Sequence, residues 1–113
     1  MKRLCILVVD DDPAVRTYTA TVLSRAGHDV HEASDLADAT ALAARLPVDV
    51  LVSDIVLGAV DGLDVEEAVR RLRPAIRTVF MSGYARPRYK TGDEDPVLVK
   101  PFTASDLLER VVA

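Results

Sequence analysis

The chain has 113 residues, half of them apolar but only 4% aromatic, and 14 basic against 18 acidic side chains leave a net charge of −4. That length builds one domain with a core of Val, Leu, Ile and Ala and is too short for two. The mild acidity argues against a nucleic-acid platform, the single Cys5 excludes an internal disulfide and fits a reducing compartment, and no apolar stretch approaches the roughly 20 residues of a membrane span. In chain order, "LCILVV" (4–9) is a continuous apolar run, the pattern of a strand covered on both faces. The start "MKRLCILVVDDD" has a basic pair, but its apolar run is short and ends in acid, which is not a secretory leader, so a cytoplasmic location is expected. Asp12-Pro13 reads as a helix cap with proline at the first position. Val15, Tyr18, Val22, Leu23 and Ala26 follow at helical spacing until Gly27. "DVHEA" (29–33) is a short strand, and residues 35–45 form an alanine-rich helix with Leu36, Ala39, Leu42 and Ala43 on one face, ending before Pro47.

"VDVLVS" (48–53) is the next strand, followed by a glycine-containing loop to Gly62 in which Asp61 reads as loop solvation. Val65, Ala68, Val69 and Leu72 mark a third helix, halted at Pro74. "IRTVFMS" (76–82) and "VLV" (97–99) are the last strands. Thr103 caps a final helix, with Asp106 in a capping-box position and Leu107, Leu108 and Val111 inward. The stretch 83–96, "GYARPRYKTGDEDP", stands where the alternation calls for a helix, but its prolines and glycines and its lack of an apolar face predict a short, frayed or absent one.

Five strands alternating with four or five helices predict a doubly wound, three-layer α/β/α fold on a parallel sheet. In such sheets the site lies beyond the carboxyl ends of the strands, near the switch point. Asp10 and Asp11 follow the first strand, Asp54 the third, Ser82 ends the fourth and Lys100 the fifth, so all five converge on one edge. Asp10, Asp11 and Asp54 make a hard, all-oxygen site suited to Mg²⁺. A carboxylate nucleophile, a metal, a lysine and a hydroxyl are what phosphoryl transfer to an aspartate requires. Asp12 reads as the helix cap rather than a metal ligand, Cys5 as a small core residue, and His28 and His31 as residues flanking a strand away from the acidic edge. The basic run Arg70, Arg71, Arg73 and Arg77, with Arg86, Arg88 and Lys90, reads as a solvated face, with partner docking as the alternative.

"VVDDDPAVR", "VLVSDIVL" with "DG" at 61–62, "VFMSGYA" and "VLVKPF", in that order over essentially the whole chain, resemble a response-regulator receiver domain, the phosphoacceptor module of two-component signalling. The resemblance implies a flavodoxin-like sheet of strand order 2-1-3-4-5. It makes Asp54 the phosphoacceptor, Asp11 the direct metal ligand, Asp10 the neighbouring acid and the Val56 carbonyl a third ligand. Ser82 becomes the switch hydroxyl, Lys100 the lysine that pairs with the phosphoryl oxygens, and Pro101 the customary cis proline. It further implies that Val56 and Tyr84 tune hydrolysis of the phosphoryl group.

Two departures from the family pattern stand out. Val97 occupies the switch position where the family usually has an aromatic, and the segment from Ser82 to Lys100 is a few residues short. Phosphorylation is therefore expected to order 83–96 and create, with 97–112, a partner-binding face. The expected protein is one receiver domain over 1–113 without an output domain, either stand-alone or cut from a hybrid kinase. Its expected partners are a sensor histidine kinase or histidine phosphotransfer protein and a downstream protein, with at most a weak homodimer and neither nucleic acid nor membrane. The expected role is signalling rather than enzymatic. The alternative is a receiver-like interaction module that works without phosphorylation. A haloacid-dehalogenase-like phosphatase would need an Asp-x-Asp motif and a cap, and a flavodoxin-like electron carrier a Ser/Thr-rich phosphate loop where this chain has three acids.

Overall fold

A computed structural model describes residues 2–58, 60–83 and 97–112. Strand β1 (Cys5–Val9) is buried along its whole length because alternate side chains feed two separate cores. Cys5, Leu7 and Val9 face Ala39 and Ala43 of helix α2 (Leu36–Arg45) and Val65 and Val69 of helix α3 (Gly62–Leu72). Ile6 and Val8 face Leu23 of helix α1 (Pro13–Arg25) and Leu107 and Val111 of helix α4 (Ala104–Val112). Burial on both sides is what a parallel sheet between two helix layers demands. Each fully buried Leu or Val there contributes about 1.5–3 kcal/mol relative to exposure.

The other sheet strands are β2 (Asp29–Ala33), β3 (Val50–Asp54), β6 (Arg77–Ser82) and β7 (Leu98–Val99). All pair in parallel in the order β2-β1-β3-β6-β7, which is the expected 2-1-3-4-5 when the five sheet strands are counted in sequence. The chain reverses its direction of winding between β1 and β3, so the crevice at their carboxyl ends is the place for a site.

Local chemistry sets the helix starts. The Asp12 carboxylate accepts from the Ala14 and Val15 amides at the head of α1, and Asp35 accepts from Asp38 at 2.8 Å at the head of α2. Thr103 and Asp106 form a reciprocal capping box, with Asp106 N–H donating to Thr103 Oγ1 at 3.0 Å and Thr103 N–H to Asp106 Oδ2 at 3.2 Å.

Three expectations need correction. Asp61 is not merely solvated: its carboxylate accepts from the Leu63 amide at 2.8 Å and caps α3. The loop before it contains an antiparallel hairpin of β4 (Val56–Leu57) and β5 (Val60–Asp61), whose turn begins at Gly58 with φ 62°. A two-residue hairpin connection favours positive φ, which only glycine adopts freely. Tyr18 and Leu72 sit at helical spacing with core residues yet are 45% and 42% exposed: α1 turns Thr19, Ala20 and Leu23 inward, and α3 buries Gly62, Val65 and Val69 and ends at Leu72. The helix expectation for 83–96 falls on residues 84–96, outside those described.

Candidate functional site

As β1 ends, the chain turns sharply through its three acids. The Asp12 amide donates to Asp10 Oδ1 at 2.9 Å, folding Asp10 inward while the Asp12 side chain goes to the helix cap. Asp10 is fully buried and Asp11 is exposed. Arg16, one turn into α1, donates from Nη1 to the Asp10 carbonyl at 3.0 Å and from Nε to Glu32 of β2 at 3.2 Å, tying this turn to the neighbouring strand.

Asp54, the last residue of β3, is 8% exposed, and the Val56 amide donates to its Oδ1 at 3.1 Å. The backbone of the next residue, Ile55, is pinned from both sides. Ile55 N–H donates to the Met81 carbonyl at 2.9 Å, and Gly62 N–H donates to the Ile55 carbonyl at 2.6 Å. A Cβ on Gly62 would lie 2.2 Å from the Asp54 carbonyl oxygen, so α3 reaches this position only because residue 62 has no side chain.

Lys100 follows β7. Its backbone N–H donates to the Ser82 carbonyl at 2.7 Å, and its peptide bond to Pro101 is cis, as the resemblance implies. The Lys100 ammonium reaches back across the sheet end to Oδ2 of Asp54 at 2.8 Å and Oδ2 of Asp10 at 3.0 Å. Ser82 is buried at the end of β6, one residue past Met81, which is the register partner of Asp54. Val97 is half-buried just before β7, Val56 is 49% exposed beside the site, and Tyr84 lies outside the described residues.

The electrostatics follow from the crowding. Burial pushes the Asp10 carboxyl up and the Asp54 charge adds to this, only partly offset by the Asp12 amide and Lys100. Burial pulls the Lys100 ammonium down, but hydrogen bonds and charge from Asp54 and Asp10 outweigh it and leave Lys100 above the ordinary lysine value. The lysine is therefore charged throughout the physiological range. Asp10, Asp11 and Asp54 each bring a carboxylate oxygen within 4.8 Å of the others. Three carboxylates against one ammonium leave negative charge that a divalent cation would balance, and the all-oxygen donor set fits a hard one.

Sequence reasoning did not find Arg16, the cap at Asp61, or the clearance role of Gly62. The helical spacing of Arg16 from Asp12 and the Asp-Gly pair before an apolar-periodic segment were the available signals.

A doubly wound parallel sheet with three carboxylates and a lysine at the carboxyl edge of its switch point defines a phosphoacceptor-type α/β module. Residues 6–112 match the response regulator receiver domain, and the chain belongs to that family, whose members are signalling phosphoacceptors. It is 37% identical over 96% of its length to the DNA-binding dual master transcriptional regulator RpaA of Synechocystis, of which it spans 47%. It is 32% identical to the sensor kinase CckA of Brucella abortus, of which it spans 12%. The chain thus spans less than half the length of these relatives. It is 29% identical to the response regulator receiver protein CpdR of Brucella abortus, covering 98% of this chain and 94% of that one. Among solved structures, the receiver domain of the hybrid histidine kinase CckA superposes with a TM-score of 0.81 at 33% identity, over 96% of this chain and 95% of that one. A Burkholderia pseudomallei response regulator bearing a phosphorylated aspartic acid and a calcium ion superposes with a TM-score of 0.80 at 25% identity, over 96% of this chain and 66% of that one. No helix among the described residues is long and apolar enough to cross a membrane.

Proposed function

We propose that Asp54 is the phosphoacceptor, taking a phosphoryl group from the phosphohistidine of a sensor histidine kinase or a histidine phosphotransfer protein. The observation that carries this is the Lys100 ammonium bridging Asp54 and Asp10, beside a third carboxylate, at the sheet's carboxyl edge. A carboxylate oxygen of Asp54 attacks phosphorus, the O–P bond forms as the N–P bond to the donor imidazole breaks, and the imidazole departs as the leaving group. The Val56 amide fixes the plane of the Asp54 carboxylate, and Lys100 follows Oδ2 to offset charge on the phosphoryl oxygens. Asp10, Asp11, Asp54 and the Val56 carbonyl would hold Mg²⁺, which supplies further compensation of phosphoryl charge when bound. Ser82, buried at the end of β6, would be the hydroxyl that responds to the modified aspartate, with the half-buried Val97 before β7 as the second switch position.

The exposed Val56 side chain has no group to orient an attacking water, so the acyl phosphate is expected to hydrolyse slowly. Tyr84, the other residue assigned to hydrolysis, and the ordering of 83–96 on phosphorylation concern positions outside the described residues, Gly83 excepted. Incubation with a small phosphodonor and Mg²⁺ followed by intact-mass measurement tests the assignment. The wild-type chain gains one phosphoryl group and Asp54→Asn gains none while remaining folded. Labelling of Asp54→Asn at the wild-type rate would overturn it.

A further inference from the structure

A second cluster of ligating side chains lies at the opposite end of the sheet. Cys5 and Asp29 are the first residues of β1 and β2 and are register partners. His31 follows Asp29 by two, so all three side chains share one face. The acidic pocket begins beyond the last residue of the same five-residue strand β1, about 16 Å away at the usual rise per residue. One donor atom from each of Cys5, Asp29 and His31 lies within 4.8 Å of the others.

The pairing within this cluster is not that of an ordinary hydrogen-bonded ion pair. His31 Nε2 stands 3.2 Å from Asp29 Oδ2, yet Nε2 is buried and has no hydrogen-bond partner among the described residues. A buried ring nitrogen that makes no hydrogen bond is costly. Its separation from the carboxylate oxygen is close to the edge of a tetrahedron around a cation bound at about 2.0–2.2 Å by nitrogen and oxygen. The other Asp29 oxygen faces Arg3 at 3.9 Å, a loose and exposed contact that leaves Oδ2 available. Cys5 closes the set from the core side, 7% exposed, while Asp29 and His31 are partly open to solvent and give a cation a way in.

We propose that Cys5, Asp29 and His31 form a metal site separate from the acidic pocket, taking a borderline-soft divalent cation of the Zn²⁺ class with water in the fourth position. The mixed sulfur, nitrogen and oxygen donors select against Mg²⁺, which demands oxygen, and suit tetrahedral Zn²⁺. As the cation binds, the Cys5 Sγ–H bond breaks, its proton leaves to solvent and the sulfur–metal bond forms. The site joins the starts of β1 and β2, so occupancy ties the edge strand to the centre of the sheet.

The test uses Co²⁺ as a spectroscopic probe on the full chain, in excess Mg²⁺ so that the acidic pocket is held by the hard ion. The wild type is expected to bind one Co²⁺ with a sulfur-to-metal charge-transfer band that Zn²⁺ abolishes by displacement. Cys5→Ser removes the band. His31→Gln weakens binding at least about tenfold, since loss of even an outer-shell partner of a ligand costs that much. Should Cys5→Ser fail to fold, His31→Gln and Asp29→Asn, at partly exposed positions, give the same reading. Zn²⁺ should also raise the melting temperature of the wild type but not of His31→Gln. Absence of a thiolate band at saturating Co²⁺, or a band whose midpoint is unchanged in His31→Gln, overturns the site.

Discussion

The Lys100 ammonium lies 2.8 Å from Asp54 Oδ2, so the residue after the last sheet strand closes against the residue that ends the middle one. That contact and the 3.0 Å contact to Asp10 are the charge compensation that lets two buried carboxylates sit side by side. Lys100→Met removes it and leaves both acids buried without a partner. Breaking fully buried pairs costs about 3–5 kcal/mol. The 19% exposure of the Lys100 side chain admits some water, so a loss of about 1–3 kcal/mol is expected without a divalent cation. Excess Mg²⁺ should restore part of that stability but not the rate of phosphorylation, which should fall at least about tenfold. Thermal melts with and without Mg²⁺, beside single-turnover labelling, separate the two effects. Labelling at the wild-type rate would show that Lys100 is only a structural counter-ion.

Asp10 carries the opposite tension. Its carboxyl is raised by burial and by the Asp54 charge, so the native state holds that proton to higher pH than the unfolded chain does. Stability contributed by Asp10 is therefore lost as pH rises from the ordinary aspartate range through its raised native value. Asp10→Asn keeps an acceptor for the Asp12 amide and removes one of three crowded negative charges. In the absence of metal it should raise the melting temperature at pH 7, by about 4 °C for each kcal/mol relieved. The gain should shrink as pH falls and Asp10 protonates in the wild type, and stabilisation by Mg²⁺ should weaken in the variant. A variant less stable than wild type at neutral pH, or a gain that grows in acid, would contradict this account.

The sequence disclosed these two residues because strand ends can be read from apolar runs. Once "LCILVV", "VDVLVS" and "VLV" are strands of one parallel sheet, Asp10, Asp54 and Lys100 must share its carboxyl edge, which is where they lie. Periodicity was a poorer guide to burial on the helices. Tyr18 has the spacing of a core residue, but its ring lies 6.2 Å from that of Phe102 on the surface of α1. Spacing gives a face to within a turn, and only the packing of α1 against α4 decides which residues of that face are covered. The hairpin of β4 and β5 was invisible because two-residue strands carry no pattern. Asp61 shows the same limit, since cap and solvated loop residue are alike until the helix start is placed.

Gly62 offers a steric test of how rigidly Asp54 must be held. An alanine there would put Cβ 2.2 Å from the Asp54 carbonyl oxygen and 2.8 Å from Ile55 Cα. Both are backbone atoms, and the Asp54 carbonyl and the Ile55 N–H and carbonyl are all hydrogen-bonded, so α3 must move. Overpacking of this kind costs about 1–3 kcal/mol. Gly62→Ala should lower stability by that amount and slow labelling of Asp54 together. At Gly83 a Cβ meets nothing within 4 Å, so Gly83→Ala should leave stability within about 0.5 kcal/mol of wild type. Equal melting temperatures for the two variants would mean that the start of α3 yields freely.

Arg16 tests whether the acidic turn must be braced from outside. Its Nη1 bond to the Asp10 carbonyl and its Nε contact to Glu32 fasten the turn that presents Asp10 and Asp11 to β2, although Arg16 touches neither carboxylate in these contacts. Arg16→Met keeps much of the aliphatic stem and removes both bonds. The turn then loosens, and the affinity for Mg²⁺ should drop several-fold while the exposed part of the ion pair contributes only about 0.2–1 kcal/mol to stability. Arg16→Lys should recover little, because an ammonium lacks the planar fork that serves a carbonyl and a carboxylate at once. Glu32→Gln, which keeps the Arg16–Asp10 bond, should bind Mg²⁺ nearly as the wild type does. Titrating Mg²⁺ at matched folded fractions distinguishes bracing from general destabilisation. If Arg16→Met and Glu32→Gln lose affinity equally, the brace runs through the strand contact and not through the Asp10 carbonyl.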